Sequence, residues 1–219
     1  MKNHKNHYTT ALVLMAAFVV FTLLLLIVDI QAIGPLGTKV GFAALNGFVA
    51  RTFPENPTWD MIAKVTGILL LLVAAFFAFL GAKQLWERRS ISRVDHDILA
   101  LGAVYAADLV LYVIFEKLVI NYRPVLEDGE LAASYPSSHT LLAVTVALTA
   151  IIEAQLRIQD KQKQKIVRIA LEALMIITIG AKLLAGVHWF TDIIGGLIIS
   201  AALIVAYSAA LDFVDSKKK

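Results

Sequence analysis

From Ala11 to Val28 the chain runs for eighteen residues without a charge, and Thr22 is its one polar side chain. A helix needs about 20 apolar residues to cross the hydrocarbon core of a bilayer. A segment in lipid must also satisfy every backbone group internally, which favours a helix. The run is longer than the apolar core of a secretory signal, about 7 to 15 residues, so it reads as a retained span over residues 10–33. Five further stretches of this kind follow, at 62–81, 98–120, 140–156, 166–187 and 193–213. Pro35, Pro54, Pro57, Pro124 and Pro136 fall between them, where helix breakers belong. The pattern predicts an all-α, polytopic membrane protein of six transmembrane helices, forming one membrane-embedded domain over residues 1–219.

Composition agrees with this. The 219 residues are 59% hydrophobic and 17% charged, with a mean hydropathy of +0.75, whereas a soluble domain is about half apolar and a quarter charged. Cysteine is absent, which excludes a disulfide framework, a thiolate metal site and a cysteine nucleophile. The net charge of +3 is explained by where the basic residues sit. The N-terminal tail has Lys2 and Lys5, and the second-to-third connection has Lys83, Arg88, Arg89 and Arg93. The fourth-to-fifth connection has Arg157, Lys161, Lys163, Lys165 and Arg168, and the C-terminal tail has Lys217, Lys218 and Lys219. These are fourteen basic residues on one side, against Lys39, Arg51, Lys117, Arg123 and Lys182 on the other. The asymmetry predicts that both termini are cytoplasmic. The clusters alternate with the spans, so no nucleic-acid partner is expected. Lys64 alone lies near the start of a span. The connection at 34–60 carries Val40, Phe42, Leu45, Phe48 and Val49, which suit either a short interfacial helix or a packed surface loop.

The polar residues converge on the outward side. The end of the third span brings Glu116, Lys117, Asn121, Tyr122, Arg123 and Pro124. The start of the fourth brings Ser134, Tyr135, Pro136, Ser137, Ser138 and His139, and the fifth-to-sixth connection brings Lys182, His188 and Asp192. Serine caps helix N-termini well, and the free N–H groups there make a seat for phosphate. Arg123, Lys117 and Lys182 supply charges that suit phosphoryl oxygens. His188 and Asp192 stand four positions apart, so a carboxylate can fix the tautomer of an imidazole nucleophile. His139 is placed to give a proton to a leaving oxygen. Plainer readings exist for each: Ser137, Ser138 and Asp192 as helix caps, Arg123 and Lys117 as interfacial anchors, His188 as a satisfied interfacial histidine. A metal site of His139, His188 and Asp192 would satisfy ligand chemistry, but the nearby cations disfavour a divalent ion. No metal and no cofactor is therefore expected.

These residues resemble the type-2 phosphatidic acid phosphatases, a family of integral-membrane lipid phosphatases related to acid phosphatases and vanadium haloperoxidases. The family pattern is Lys, six residues, Arg-Pro; then Pro-Ser-Gly-His; then Ser-Arg, five residues, His, three residues, Asp. This chain has Lys117 with Arg123-Pro124, Pro136-Ser137-Ser138-His139, and Ala181-Lys182 with His188 and Asp192. Lys117 comes one position late, with Glu116 in its place, and one residue turns a helix by about 100°. Ser138 replaces glycine, and Lys182 replaces arginine without its bidentate fork. The resemblance implies a metal-free, two-step mechanism. His188 becomes a phosphohistidine, His139 protonates the leaving oxygen, and Asp192 orients His188. Lys117, Arg123, Ser137, Ser138 and Lys182 hold the phosphoryl oxygens. It also implies a lipid phosphate substrate among membrane lipids; the charge asymmetry places the active site on the extracytoplasmic side, and no protein partner is predicted. Undecaprenyl diphosphate leads, ahead of phosphatidylglycerol phosphate and phosphatidic acid. The alternatives are a catalytically silent lipid-binding relative and a transporter, the latter resting on Asp108 within the third span.

Overall fold

The computed structural model describes the backbone of residues 2–217 and the side chains of residues 6–213. The terminal cations Lys2, Lys5, Lys217, Lys218 and Lys219 lie outside the described side chains. Among the described residues seven α-helices run in the order α1 (Lys2–Leu25), α2 (Ala43–Thr52), α3 (Pro57–Arg88), α4 (His96–Lys117), α5 (Ser138–Arg157), α6 (Lys161–Leu184) and α7 (Phe190–Lys217). Among the described residues β pairing is limited to isolated bridges such as Tyr122 with Ala133.

Local chemistry sets the ends of these helices. Asn56 caps α3, its Oδ1 accepting from the N–H groups of Thr58 (3.0 Å) and Trp59 (3.3 Å), and Pro57 takes the first helical position. Asp160 caps α6 through Gln162 N (2.8 Å) and Lys163 N (3.3 Å). The connection at 34–60 holds a short helix, α2. Asp29 stands at its N-terminus and accepts from Ala44 N (2.7 Å) through its carboxylate. That bond, with a second from Gln31, holds the Asp29 carboxyl below the usual carboxylate range.

α5 lies at the centre, packed on α3, α6 and α7, while α1 packs chiefly on α7. Its inward positions are small or β-branched, including Ala143, Val146, Ala147 and Ala150, all buried. Small residues let helix backbones approach closely where lipid supplies no hydrophobic drive. Leu12, Leu72, Phe76, Phe79 and Ile176 face outward and are exposed. Apolar surface of this extent belongs in hydrocarbon. Among the described residues, five helices are long and apolar enough to cross a membrane, within Asn6–Leu25, Pro57–Arg88, His96–Lys117, Ser138–Arg157 and Phe190–Phe213. The chain is thus an all-helical, multi-pass membrane protein. α6 has 24 residues, but its first half carries Lys161, Lys163, Lys165, Arg168 and Glu172.

One boundary is corrected. The first helix ends at Leu25, not near residue 33. Residues 26–42 turn back, with Gln31 bridged to Val40 and Phe42 N donating to Val28 O (2.9 Å). Thr22 accepts from the Tyr135 hydroxyl (2.8 Å) and donates to Phe18 O (2.8 Å). Tyr135 also stacks on Phe18 and meets Phe115 edge-on. These contacts tie α1 to the segment just before α5.

Candidate active site

Ser137 organises the start of α5. It is fully buried, and its Oγ accepts from Thr140 N (3.4 Å) and Thr140 Oγ1 (3.1 Å). Its carbonyl accepts from Leu141 N (2.9 Å), and its own N–H donates to Asp192 O (3.0 Å), joining α5 to α7. Gly195 makes this approach possible, because a Cβ there would lie 2.3 Å from the Tyr135 ring. The first N–H groups of a helix have no intrahelical partner. Ser137 serves those of Thr140 and Leu141, which leaves the N–H groups of Ser138 and His139 at the open end. Both residues line a cavity of about 230 Å³, together with Glu116, Arg123, Ser134 and His188.

His188 sits in the turn between α6 and α7. Gly186 begins that turn with φ +65°, and a Cβ on it would lie 2.5 Å from Phe53 O. Only glycine suits both demands. The His188 Nδ1 stands 3.2 Å from Ser134 Oγ and 3.7 Å from Asp192 Oδ2. The second distance is beyond an ordinary N–H···O bond. Ser134 Oγ donates to Asp192 Oδ2, so Nδ1–H donates to Ser134, and Ser134 donates to Asp192. Asp192 is held in turn by Trp189 N (2.8 Å) and Asn121 Nδ2 (3.4 Å). The relay leaves Nε2 of His188 as the unprotonated nitrogen. Nε2 is buried with no hydrogen-bond partner, and so is Nδ1 of His139. Burial pushes the His188 imidazole below the ordinary histidine range, and Asp192 offsets this only in part. An unprotonated imidazole facing a cavity beside a guanidinium can attack an electrophile that carries anionic oxygens.

The sequence-predicted site residues do not all meet. His139, His188, Arg123 and Ser138 share the cavity, and Asp192 stands behind His188. Arg123 donates to Ala133 O (3.3 Å) and pairs with Glu127 (3.4 Å). Lys117 is exposed and does not line the cavity, whereas Glu116 does. The one-residue delay has rotated the lysine off the site. Ser137 has committed both its Oγ and its N–H to packing the two helix ends. Lys182 is buried and paired with Asp60 Oδ1 at 2.6 Å, one step back from the cavity. Sequence spacing does not mark Ser134 as an orienting residue, since the bond that defines it spans 54 residues of sequence.

A second, larger cavity of about 630 Å³ adjoins the first. Tyr112, Ser138, His139 and Leu141 line both. Its other walls come from α3, α4 and α5 and are mostly apolar, including Ile68, Leu71, Leu109 and Val146. Asp108 lines it too, its Oδ1 accepting from Thr145 at 3.4 Å. A polar chamber that continues into an apolar one between helices fits an amphiphile. Among the described residues no group of three His, Asp or Glu side chains is disposed to hold a metal ion. The trio His139, His188 and Asp192 is not assembled, because Ser134 and Trp189 take up the Asp192 carboxylate.

Similar proteins can now be set beside this geometry. No curated protein is similar to the chain at a significant level. A crystal structure described as the first transmembrane PAP2 type phosphatidylglycerolphosphate phosphatase from Bacillus subtilis shares its fold. The TM-score is 0.61 at 18% identity, over 95% of this chain and 97% of the other. The sequence profile of the PAP2 superfamily matches residues 97–214, the stretch that holds Arg123, His139, His188 and Asp192. By that match, over more than half its length, the chain belongs to the PAP2 superfamily, the type-2 phosphatidic acid phosphatases.

Proposed function

We propose that this protein is an integral-membrane lipid phosphatase acting through a phosphohistidine at His188, without a metal or other cofactor. One observation carries the reading. The buried, unpartnered Nε2 of His188 faces a cavity shared with His139 and Arg123, and that cavity opens into an apolar chamber between α3, α4 and α5. The phosphate of a lipid enters the polar part and its acyl or prenyl chain the apolar part. His188 Nε2 attacks phosphorus while Ser134 and Asp192 hold the imidazole and stabilise its positive charge. Phosphate beside His139 favours the protonated imidazole, which gives its proton to the leaving oxygen. Water then attacks the phosphoenzyme with His139 as base. Arg123 and the N–H groups of Ser138 and His139 bear the charge that spreads over the phosphoryl oxygens. Lys182 adds positive potential from behind Asp60.

The chain works as a single domain with α6 as its sixth membrane crossing, both termini cytoplasmic and the site extracytoplasmic. The charge asymmetry of the connections supports this orientation. The substrate is a phosphate monoester or diphosphate of a lipid. Undecaprenyl diphosphate comes first for a site at that face. Phosphatidylglycerol phosphate follows, as the substrate in the name of the structural neighbour, and then phosphatidic acid. The displaced Lys117 and the Asp60-bound Lys182 favour a second reading, a silent relative that binds lipid phosphate. Phosphate release from these three lipids in detergent, with EDTA present, decides between them. Release by the wild type and none by H188A supports the phosphatase. Lipid binding without release by either supports the silent relative.

A further inference from the structure

Lys64 is the basic residue that the membrane topology leaves unassigned, and the structure gives it surroundings. Asp60, Lys64, Gly67 and Leu71 recur at helical spacing along one face of α3. The last three of these line the larger cavity, and Ser138 and His139 form the wall it shares with the smaller, polar one. A Cβ on Gly67 would lie 3.5 Å from His139 Cδ2, so this face of α3 meets the catalytic imidazole within one turn of Lys64. Asp60 bridges two cations. Its Oδ2 holds Lys64 Nζ at 2.8 Å, and its Oδ1 holds Lys182 Nζ at 2.6 Å. Lys64 is also within electrostatic reach of Arg123 and Glu127. Its side chain is 56% exposed, against 1% for Lys182. Of the two lysines on Asp60, it is the one free to move toward an incoming anion.

We propose that Lys64, and not Lys117, supplies the lysine of the phosphate seat, with Asp60 holding it ready and tying it to Lys182. The inference rests on the phosphatase reading and deepens it. The seat is built from α3, the connection 118–137 and the start of α5. Lys64 meets the phosphoryl oxygens as a point charge on a flexible stem, opposite the forked guanidinium of Arg123. Lys117 remains outside it as an interfacial cation. A lysine one carboxylate away from its place in the complex needs only a side-chain rotation to exchange Asp60 for phosphate.

The test uses the full chain in detergent, with K64Q, K64R and K117Q. Two readouts are taken, kcat/KM on a hydrolysed lipid phosphate and stabilisation against heat by orthovanadate and by inorganic phosphate. K64Q is expected to lose about 10²-fold in kcat/KM, the size of effect seen when one charge-stabilising donor is removed. K64R recovers most of that loss, and K117Q stays near the wild type. Vanadate and phosphate raise the Tm of the wild type and K117Q, and not that of K64Q. A K64Q variant with near-normal activity and anion stabilisation overturns the inference, as does a loss confined to K117Q. If the wild type hydrolyses none of the lipids, the phosphatase reading fails separately. Anion stabilisation then decides for or against Lys64 on its own, and its absence from the wild type overturns the seat.

Discussion

The two ends of the bundle each gather charge, and they treat it in opposite ways. At the end away from the histidines, Glu153 is fully buried and accepts from Tyr207 and from Arg157 Nε (2.6 Å). Asp97 accepts from Ile98 N (3.0 Å) and Arg157. Asp95 takes Arg88 (2.6 Å) on one oxygen and Gln84 (2.8 Å) on the other. All six carboxylate oxygens of this network are paired. At the histidine end, His188 and His139 each keep a buried nitrogen with no partner. A buried polar atom left unpaired costs about 1–3 kcal/mol, so a fold keeps such atoms only where something else compensates. The closed network locks α4, α5 and α7 together, and the open one is ready for a ligand. Substitutions at the two ends should therefore fail in different ways.

The largest effect belongs to His188. H188A is expected to lower kcat by about 10³-fold or more, the scale on which a nucleophile's loss is felt, with no fall in Tm. H139A should cost about 10²–10⁴-fold, as for a general acid, measured as phosphate release at fixed lipid. S134A breaks the relay while sparing both histidines. An expected loss of about 10–100-fold corresponds to about 1–3 kcal/mol of lost hydrogen bonding, and a narrower pH profile should accompany it. A normal S134A would return the orienting role to Asp192 alone. Y207F should do the reverse of all three. It leaves Glu153 one donor short, costing about 1–3 kcal/mol of stability with kcat unchanged. Losing activity before stability in Y207F would break the contrast between the ends.

Two pH effects are smaller and separate the ends again. His188 is pushed down, so it stays neutral and nucleophilic below the ordinary histidine pKa of about 6.5. The acid limb of the rate profile due to His188 should therefore lie under that value. The same shift costs stability in acid. Below about pH 6.5 the unfolded chain takes up a proton that the folded chain refuses, so stability falls as pH drops, and H188N should lessen that slope. Asp95 is held below the usual carboxylate range, first by its bond from Arg88. Its contribution is present above about pH 3.9 and lost below it. Equilibrium unfolding across pH 3–7 for the wild type, H188N and D95N checks both signs.

How much of this was legible in the sequence follows from the range of each interaction. Apolar runs and caps are local, so α3 to α7 and the capping residue Ser137 could be read directly. The end of α1 could not, because residues 26–33 stay apolar while Asp29 and Gly41 fold them back onto α2. A Cβ on Gly41 would lie 1.9 Å from Leu25 O, a demand that hydropathy does not register. In the site, His139, His188 and Asp192 were legible because motif spacing carries them. Lys117 misled because a shift of one residue is a turn of about 100° on a helix. Ser134 and Asp60 act on residues 54 and 122 positions away, and sequence spacing carries no trace of such pairs. The one available signal for Asp60 and Lys64 was two charges at the start of a long apolar helix, on the same side as the histidines.

The most direct test of a histidine nucleophile is to trap the intermediate. Wild type and H188N are mixed with lipid phosphate labelled with ³²P at the terminal phosphate, quenched within a single turnover, digested and mapped by mass spectrometry. The expected result is an acid-labile, base-stable phosphate on the peptide holding His188, present in the wild type and missing from H188N. Continued hydrolysis with no label on the protein, or a label on His139 in its place, would contradict it.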